Sequence, residues 1–170
     1  HYDPDNIFAG TPSLAVLRVL LAKKCKLKLQ SFHFDFKRAF SSTLLERSLN
    51  VLMPKGYVLL DEDGDELYLE LTHSCEGLKQ SGANWLEKIT KFLIDYGFSQ
   101  SVTEPKLFMM KLPDGGQCEF MLYIDDILGI CSSSSFIEKL FNGLNAFTPC
   151  KNRGEIVSTL GMEIEHTRTS

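Results

Sequence analysis

Asp125 and Asp126 are adjacent carboxylates set between two apolar runs, Phe120 to Ile124 before them and Ile127 to Ile130 after. Neighbouring carboxylates repel, and holding them beside a core is costly without a counter-charge. A third acid, Asp35, stands alone among Phe32, His33, Phe34 and Phe36. Each feature has a plain reading. Asp favours turns, and a lone acid suits the wet side of an edge strand. Together they have a chemical one, because hard oxygen ligands from separate elements suit a divalent cation. Mg²⁺ takes one or two protein carboxylates and completes its shell with water and substrate phosphates. Two such ions about 4 Å apart stabilise both the attacking and the leaving oxygens of a phosphoryl transfer.

These acids need elements to carry them. Phe32, Phe34 and Phe36 alternate with His33 and Asp35, so a strand here turns Asp35 away from the face that packs. The apolar runs around 125–126 predict a hairpin with the two acids at its bend. Helices are expected from Thr11-Pro12 to about Lys24, from Leu78 to about Tyr96 with Gly97 as stop, and through Phe136, Ile137, Leu140, Phe141 and Leu144. Arg38 to about Arg47 reads as partly helical. Tyr57 to Leu60 and Leu67 to Leu71 read as a hairpin pair joined by the acidic stretch Asp61 to Glu66. Leu107 to Lys111 is a candidate strand, followed by a turn at Pro113 to Gly116. Leu160, Met162 and Ile164 alternate in a last strand. The order predicts an α+β fold of the split β-α-β, ferredoxin-like kind, an antiparallel sheet with helices on one face and the acids on the open other face.

The bulk numbers bound the class. At 170 residues, 44% hydrophobic and with 12 Phe, the chain suits one domain with a real core. No apolar run approaches the ~20 residues of a membrane helix, and no membrane partner is expected. The five cysteines are odd in number and widely spaced, without C-x-x-C, which argues against a zinc site or a disulfide scaffold and for a reducing intracellular setting. The net charge of −4 speaks against a dedicated nucleic-acid grip. It is unevenly spread, with Lys23, Lys24, Lys26 and Lys28 in one basic cluster and Asp61 to Glu66 in an acidic one. Either cluster also reads as solvated surface.

Several stretches, in order, resemble copia-type retrotransposon reverse transcriptases. Asp35-Phe36-Lys37-Arg38-Ala39-Phe40 resembles the first catalytic motif, D-V-K-T-A-F. Gly77-Leu78-Lys79-Gln80 with Trp85 is similar to G-L-K-Q-x-x-x-x-W, and Tyr123-Ile124-Asp125-Asp126 to the Y-x-D-D box. Lys151 to Ile156 with Leu160 to Ile164 resembles K-D-L-G-E-I and F-L-G-x-E-I. Pro54-Lys55-Gly56-Tyr57, Gly97-Phe98, Ser101, Leu107-Phe108 and the first helix are weaker matches. A Y-x-D-D match alone is weak, whereas four motifs in order at compatible spacing are strong.

The resemblance implies a reverse-transcriptase palm with part of the fingers, and RNA-directed DNA polymerase activity with two Mg²⁺ ions, Mn²⁺ being an alternative. Asp35 and Asp125 would be the metal-binding carboxylates and Asp126 the third acid of the site. Phe36, Phe40, Gln80 and Lys151 would lie at the nucleotide, with Phe40 as a steric gate against a ribose 2′-hydroxyl. Tyr123, Ile124 and Lys79 would lie at the primer or template. Phe40 also reads as core packing, Lys151 as a surface lysine, and Trp85 as core. The implied partners are an RNA or DNA template with primer, deoxynucleotides, and the remaining Pol segments: fingers, thumb, ribonuclease H and integrase. The chain begins with His1, so it is expected to be a piece of that polyprotein, placed in a cytoplasmic virus-like particle or the nucleus.

Arg38, Ser41-Ser42, Cys75-Glu76 and Asn152-Arg153 depart from the pattern, where the family has T, L-N, L-Y and D-L, but no catalytic acid is lost. Two other readings stand beside the polymerase. One is an inactive or co-opted element that binds nucleic acid or protein without polymerising. The other is a palm-type nucleotide cyclase. The cyclase lacks its G-G-D/E-E-F hairpin here and leaves Leu78-Lys79-Gln80 unexplained.

Overall fold

Residues 12–159 and 161–165 are described by the computed structural model. The alternation of the Phe-rich segment builds its central strand, β1 (Gln30–Phe36), which buries Phe32, Phe34 and Phe36 on one face and turns His33 and Asp35 to the other. After it come a 3₁₀ turn at Phe40–Ser42, β2 (Leu44–Val51) and β3 (Leu69–His73). A long helix precedes β1, α1 (Leu14–Leu27), and a second follows β3, α2 (Ser81–Tyr96). Then run β4 (Ser99–Gln100), β5 (Leu107–Lys111), β6 (Gln117–Tyr123), β7 (Asp126–Cys131), α3 (Ser134–Phe147), β8 (Cys150–Gly154), β9 (Ser158–Thr159) and β10 (Met162–Glu163).

The main sheet has the order β4-β5-β6-β7-β1-β8, with antiparallel neighbours throughout. Taken over β1, β6, β7 and β8, with α2 and α3 as the crossovers, this is the split β-α-β order. Both crossover helices cover the Phe face. Trp85, Ile89 and Leu93 of α2 and Ile137, Leu140 and Leu144 of α3 join Phe32, Phe34, Phe36, Phe120 and Ile127 in one core. Each such side chain contributes about 1.5–3 kcal/mol by leaving water.

The opposite face, expected from the sequence to be open, is partly covered. Leu17 and Leu20 of α1 pack there against Met121, Leu128, Ile130 and Ile156. Lys23 of α1 adds an ion pair to Glu119 at 2.6 Å, and Lys24 one to Glu155 at 3.6 Å. Two members of the basic cluster thus serve to dock this helix. Tyr123, at the bend, also packs partly against this cluster, while Asp35 and Asp126 remain partly exposed.

Other expectations need correction. The expected cap Thr11 lies outside the described residues, and Ser13 caps α1 through its side chain, which accepts from Ala15 N–H. The helical character after Arg38 ends at Ser42. Leu44–Val51 is extended because it finds a partner in β3. β3 therefore pairs with β2 and not with Tyr57 to Leu60, which keeps a single bridge, Leu60 to Glu66. Asp61 makes that connection by accepting from the N–H groups of Asp63 and Asp65. The last strand shrinks to Met162–Glu163 against Ser158–Thr159, and its expected first residue, Leu160, lies outside the described residues.

Gly129 has a specific steric reason. It sits on β7 between Phe32 of β1 and Phe120 of β6, and a Cβ there would collide with the Phe32 ring and the Phe120 Cβ. Gly129→Ala is expected to destabilise the fold by about 1–3 kcal/mol through overpacking. Urea denaturation checks this, and an unchanged midpoint would contradict it.

Candidate active site

Antiparallel register brings the two distant acids together. Asp35 of β1 lies directly opposite Asp126 of β7, and Tyr123 of β6 lies opposite Asp126 from the other side. Residues opposite one another share a face, with Cβ atoms about 4.5–5.5 Å apart. Asp35, Asp126 and Tyr123 therefore share the face that bears His33.

Asp125 enters from the hairpin turn. Ile124 and Asp125 are the two residues between the paired Tyr123 and Asp126. Ile124 has φ +53°, a left-handed conformation costly for a β-branched residue. Primed hairpin turns favour positive φ at this position, where glycine is usual. Two contacts hold the strained turn. The Trp85 indole Nε1–H donates to the Ile124 carbonyl at 3.0 Å, and the Phe36 N–H donates to the Asp125 carbonyl at 2.8 Å. Trp85 is buried, as expected of a core residue, and it also ties α2 to the acidic bend.

The three acids differ in their partners. His33 Nε2 lies 2.8 Å from Asp126 Oδ1. Arg153 donates to Asp35 Oδ2 from Nε at 3.0 Å and from Nη2 at 2.5 Å. Asp125 is half-buried, and its Oδ1 has no hydrogen-bond partner. Burial pushes its carboxyl up to about 6, aided by the negative charges of Asp126, Asp35 and Glu76. A hollow of about 360 Å³ opens beside these groups, lined in part by His33, Asp35, Asp126, Arg153 and Glu155.

Among the described residues, no three His, Cys, Asp or Glu side chains are gathered closely enough to hold a metal ion. The donors nevertheless fit a hard divalent ion in kind. They are carboxylate oxygens, those of Asp35 and Asp126 on strand residues opposite one another, and the buried Oδ1 of Asp125 is unpaired and crowded by neighbouring negative charge. A cation brought there relieves that repulsion.

The remaining expected residues are placed unevenly. Phe36 buries its ring edge-on to Trp85 at 5.0 Å, on the helix-covered face. Phe40 opens the 3₁₀ turn and packs partly against the core. Lys88 of α2 fixes that turn by donating to the Ser42 carbonyl. Lys79 and Gln80 end the turn before α2, where the Gln80 carbonyl accepts from Asn84 N–H and its side chain makes no cap. Glu76 and Trp85 flank them, and both act on the bend. Tyr123 packs partly against the α1 cluster, and Ile124 is 45% exposed. Lys151 lies opposite Asp35 on the sheet-edge strand β8.

His33, Arg153 and Glu76 are site residues that the sequence reading did not single out. A signal existed for His33, which sits two residues before Asp35 on one strand face. For Arg153 the one signal was its departure from the motif, because β8 has no alternating apolar pattern.

The family model described as reverse transcriptase (RNA-dependent DNA polymerase) matches residues 1–169. The chain is 26% identical over 168 residues to the retrovirus-related Pol polyprotein from transposon TNT 1-94 of Nicotiana tabacum, covering 99% of this chain and 12% of that protein. It is 26% identical over 136 residues to the corresponding polyprotein from transposon RE1 of Arabidopsis thaliana, covering 79% of this chain and 9% of that one. A third polyprotein, from transposon RE2 of the same plant, is 26% identical over 130 residues. The chain thus spans about a tenth of the length of the curated relatives it matches. With the family model matched over residues 1–169, the chain belongs to the reverse transcriptase family of retrotransposon Pol polyproteins.

Proposed function

We propose that this chain is the palm of a copia-type RNA-directed DNA polymerase, extending a primer 3′-end with deoxynucleotides. The observation that carries the reading is the pairing of Asp35 with Asp126, beside an Asp125 oxygen that is buried and unpartnered. Catalysis of this class is mostly positioning and charge stabilisation. Asp35, Asp125 and Asp126 would hold Mg²⁺, or Mn²⁺ in its place, which would supply positive charge to the primer 3′-hydroxyl and to the leaving pyrophosphate.

In this reading Asp35, Asp125 and Asp126 hold the ions. Phe40 stands where a ribose 2′-hydroxyl would come. Gln80, just before α2, offers an amide to the nucleotide or template, near backbone donors suited to phosphate. Lys151, beside Asp35 on the neighbouring strand, faces the triphosphate, while Tyr123, Ile124 and Lys79 border the primer and template. The partners are a template with primer, deoxynucleotides and the other Pol segments, which would supply much of the basic grip on nucleic acid.

Primer extension, assayed for the chain itself and within a complete Pol polyprotein background, tests this. Mg²⁺-dependent extension is expected to fall at least about 100-fold in Asp125→Asn, the scale on which a lost charge-stabilising group acts. Extension that survives this change overturns the assigned role. No extension in either background, with nucleic-acid binding indifferent to Mg²⁺, favours the co-opted binding module instead. Phe40→Ala is expected to admit ribonucleotides that the parent chain rejects, read as incorporation from a ribonucleotide pool.

Asp125 also gives a pH signature. Its carboxyl titrates near 6 in the folded chain, against about 4 when unfolded. Folding therefore disfavours its charged form. The resulting cost is absent below pH ~4, grows as pH rises through 6, and is complete above. Asp125→Asn is expected to stabilise the metal-free chain by about 1–2 kcal/mol at pH 8, after allowing for solvent screening, and by almost nothing at pH 4. Thermal denaturation in chelator at both pH values checks the sign.

A further inference from the structure

Arg153 is the cation nearest Asp35. Both of its contacts, from Nε and Nη2, fall on one oxygen, Oδ2. Its side chain is 46% exposed, against 26% for Asp35, so the guanidinium has open space to move into. The backbone around it is irregular. The β1–β8 register shifts between His33 and Phe34, and Gly154 follows Arg153 at φ +82°. Such bulges re-aim a side chain and interrupt the ladder that would hold it. β8 is also an edge of the main sheet.

Asp126 keeps a different companion, His33, and Asp125 keeps none at Oδ1. The hollow beside them is bordered by the negative Glu155 as well. A divalent ion arriving at these acids would meet the positive Arg153 already seated on one of its ligands. Two cations cannot share one carboxylate oxygen without strong repulsion at that distance.

We propose that Arg153 is the resident counter-ion of Asp35, holding that carboxylate until a divalent ion displaces it, so that ion entry and guanidinium release are one exchange. The proposal rests on the reading of Asp35 as an ion-binding residue. Arg153 thereby sets the ion concentration at which the site fills. It keeps Asp35 neutralised and ordered when the site is empty, and it makes filling sensitive to the cost of moving it.

Binding of Mn²⁺ to the chain, followed by electron paramagnetic resonance of the free ion, tests this without any requirement for polymerisation. Arg153→Leu is expected to bind Mn²⁺ roughly three- to tenfold tighter than the parent. Arg153→Lys, which keeps the charge and loses the two-pronged contact, is expected to fall between them. Equal or weaker binding by Arg153→Leu overturns the exchange, as does the absence of Mn²⁺ binding by the parent. The parent chain gives a second reading that needs no variant. The Arg153 Nε–H resonance, protected in chelator by its contact to Asp35, is expected to lose that protection as Mg²⁺ is added. A resonance unchanged at saturating Mg²⁺ overturns the proposal. Failure here is distinct from failure of the polymerase reading. Unaltered Mn²⁺ affinity in Arg153→Leu sinks only the exchange, whereas primer extension indifferent to Asp125→Asn sinks the catalytic assignment.

Discussion

The register of β1 against β7 is the constraint on which the site depends. Side chains alternate with a period of two along a strand, so a slip of one residue would move Asp35 to the helix-covered face and lift Phe32, Phe34 and Phe36 into water. The packing that makes the slip prohibitive is on the far side of the sheet, where the three Phe rings meet α2 and α3. Gly129 lets the strands close there, because Phe32 and Phe120 fill the space a Cβ would need. The hydrophobic face thereby fixes the position of the charged one.

That arrangement forces like charges together, and the chain answers each differently. Asp35 has a guanidinium, Asp126 an imidazole, and Asp125 no hydrogen bond at Oδ1. The raised protonation of Asp125 is the electrostatic residue of this crowding, with burial its largest cause. A site fully satisfied by its own side chains would gain little from a cation. One with an unpaired carboxylate oxygen beside two other acids stands to gain a good deal. The structural strain follows the same logic, since Ile124 holds a left-handed backbone to present Asp125, and α2 and β1 each contribute a hydrogen bond to keep it there.

Much of this was legible in the sequence because strong periodicity carried it. The alternation of β1, the 3.6-residue pattern of Trp85, Ile89 and Leu93, and the apolar runs around the two acids all mark elements whose burial depends on that spacing. The order β6-β7-β1 followed from element order, whereas the closing strand expected at 160–164 lies in a separate pair and Cys150–Gly154 takes its place. What remained hidden lacked such a pattern. Residues 150–154 form an edge strand whose side chains after Cys150 are exposed, so no alternation announced it, and with it went the ion pair of Arg153. Residues 44–47 looked partly helical because their extended form rests on β3, a partner some twenty residues away. Phe36 was legible as a core residue from its own alternation.

The hydrogen bond from α2 to the acidic bend has an optical consequence. Trp85 is the sole tryptophan of the chain, so all of its indole fluorescence originates at one buried ring, whose N–H is committed to the carbonyl next to Asp125. Indole emission responds to the polarity around the ring and to its hydrogen bonding. The protein therefore carries a built-in reporter at the tip of its acidic hairpin, and a change in that turn registers in the emission without any added label.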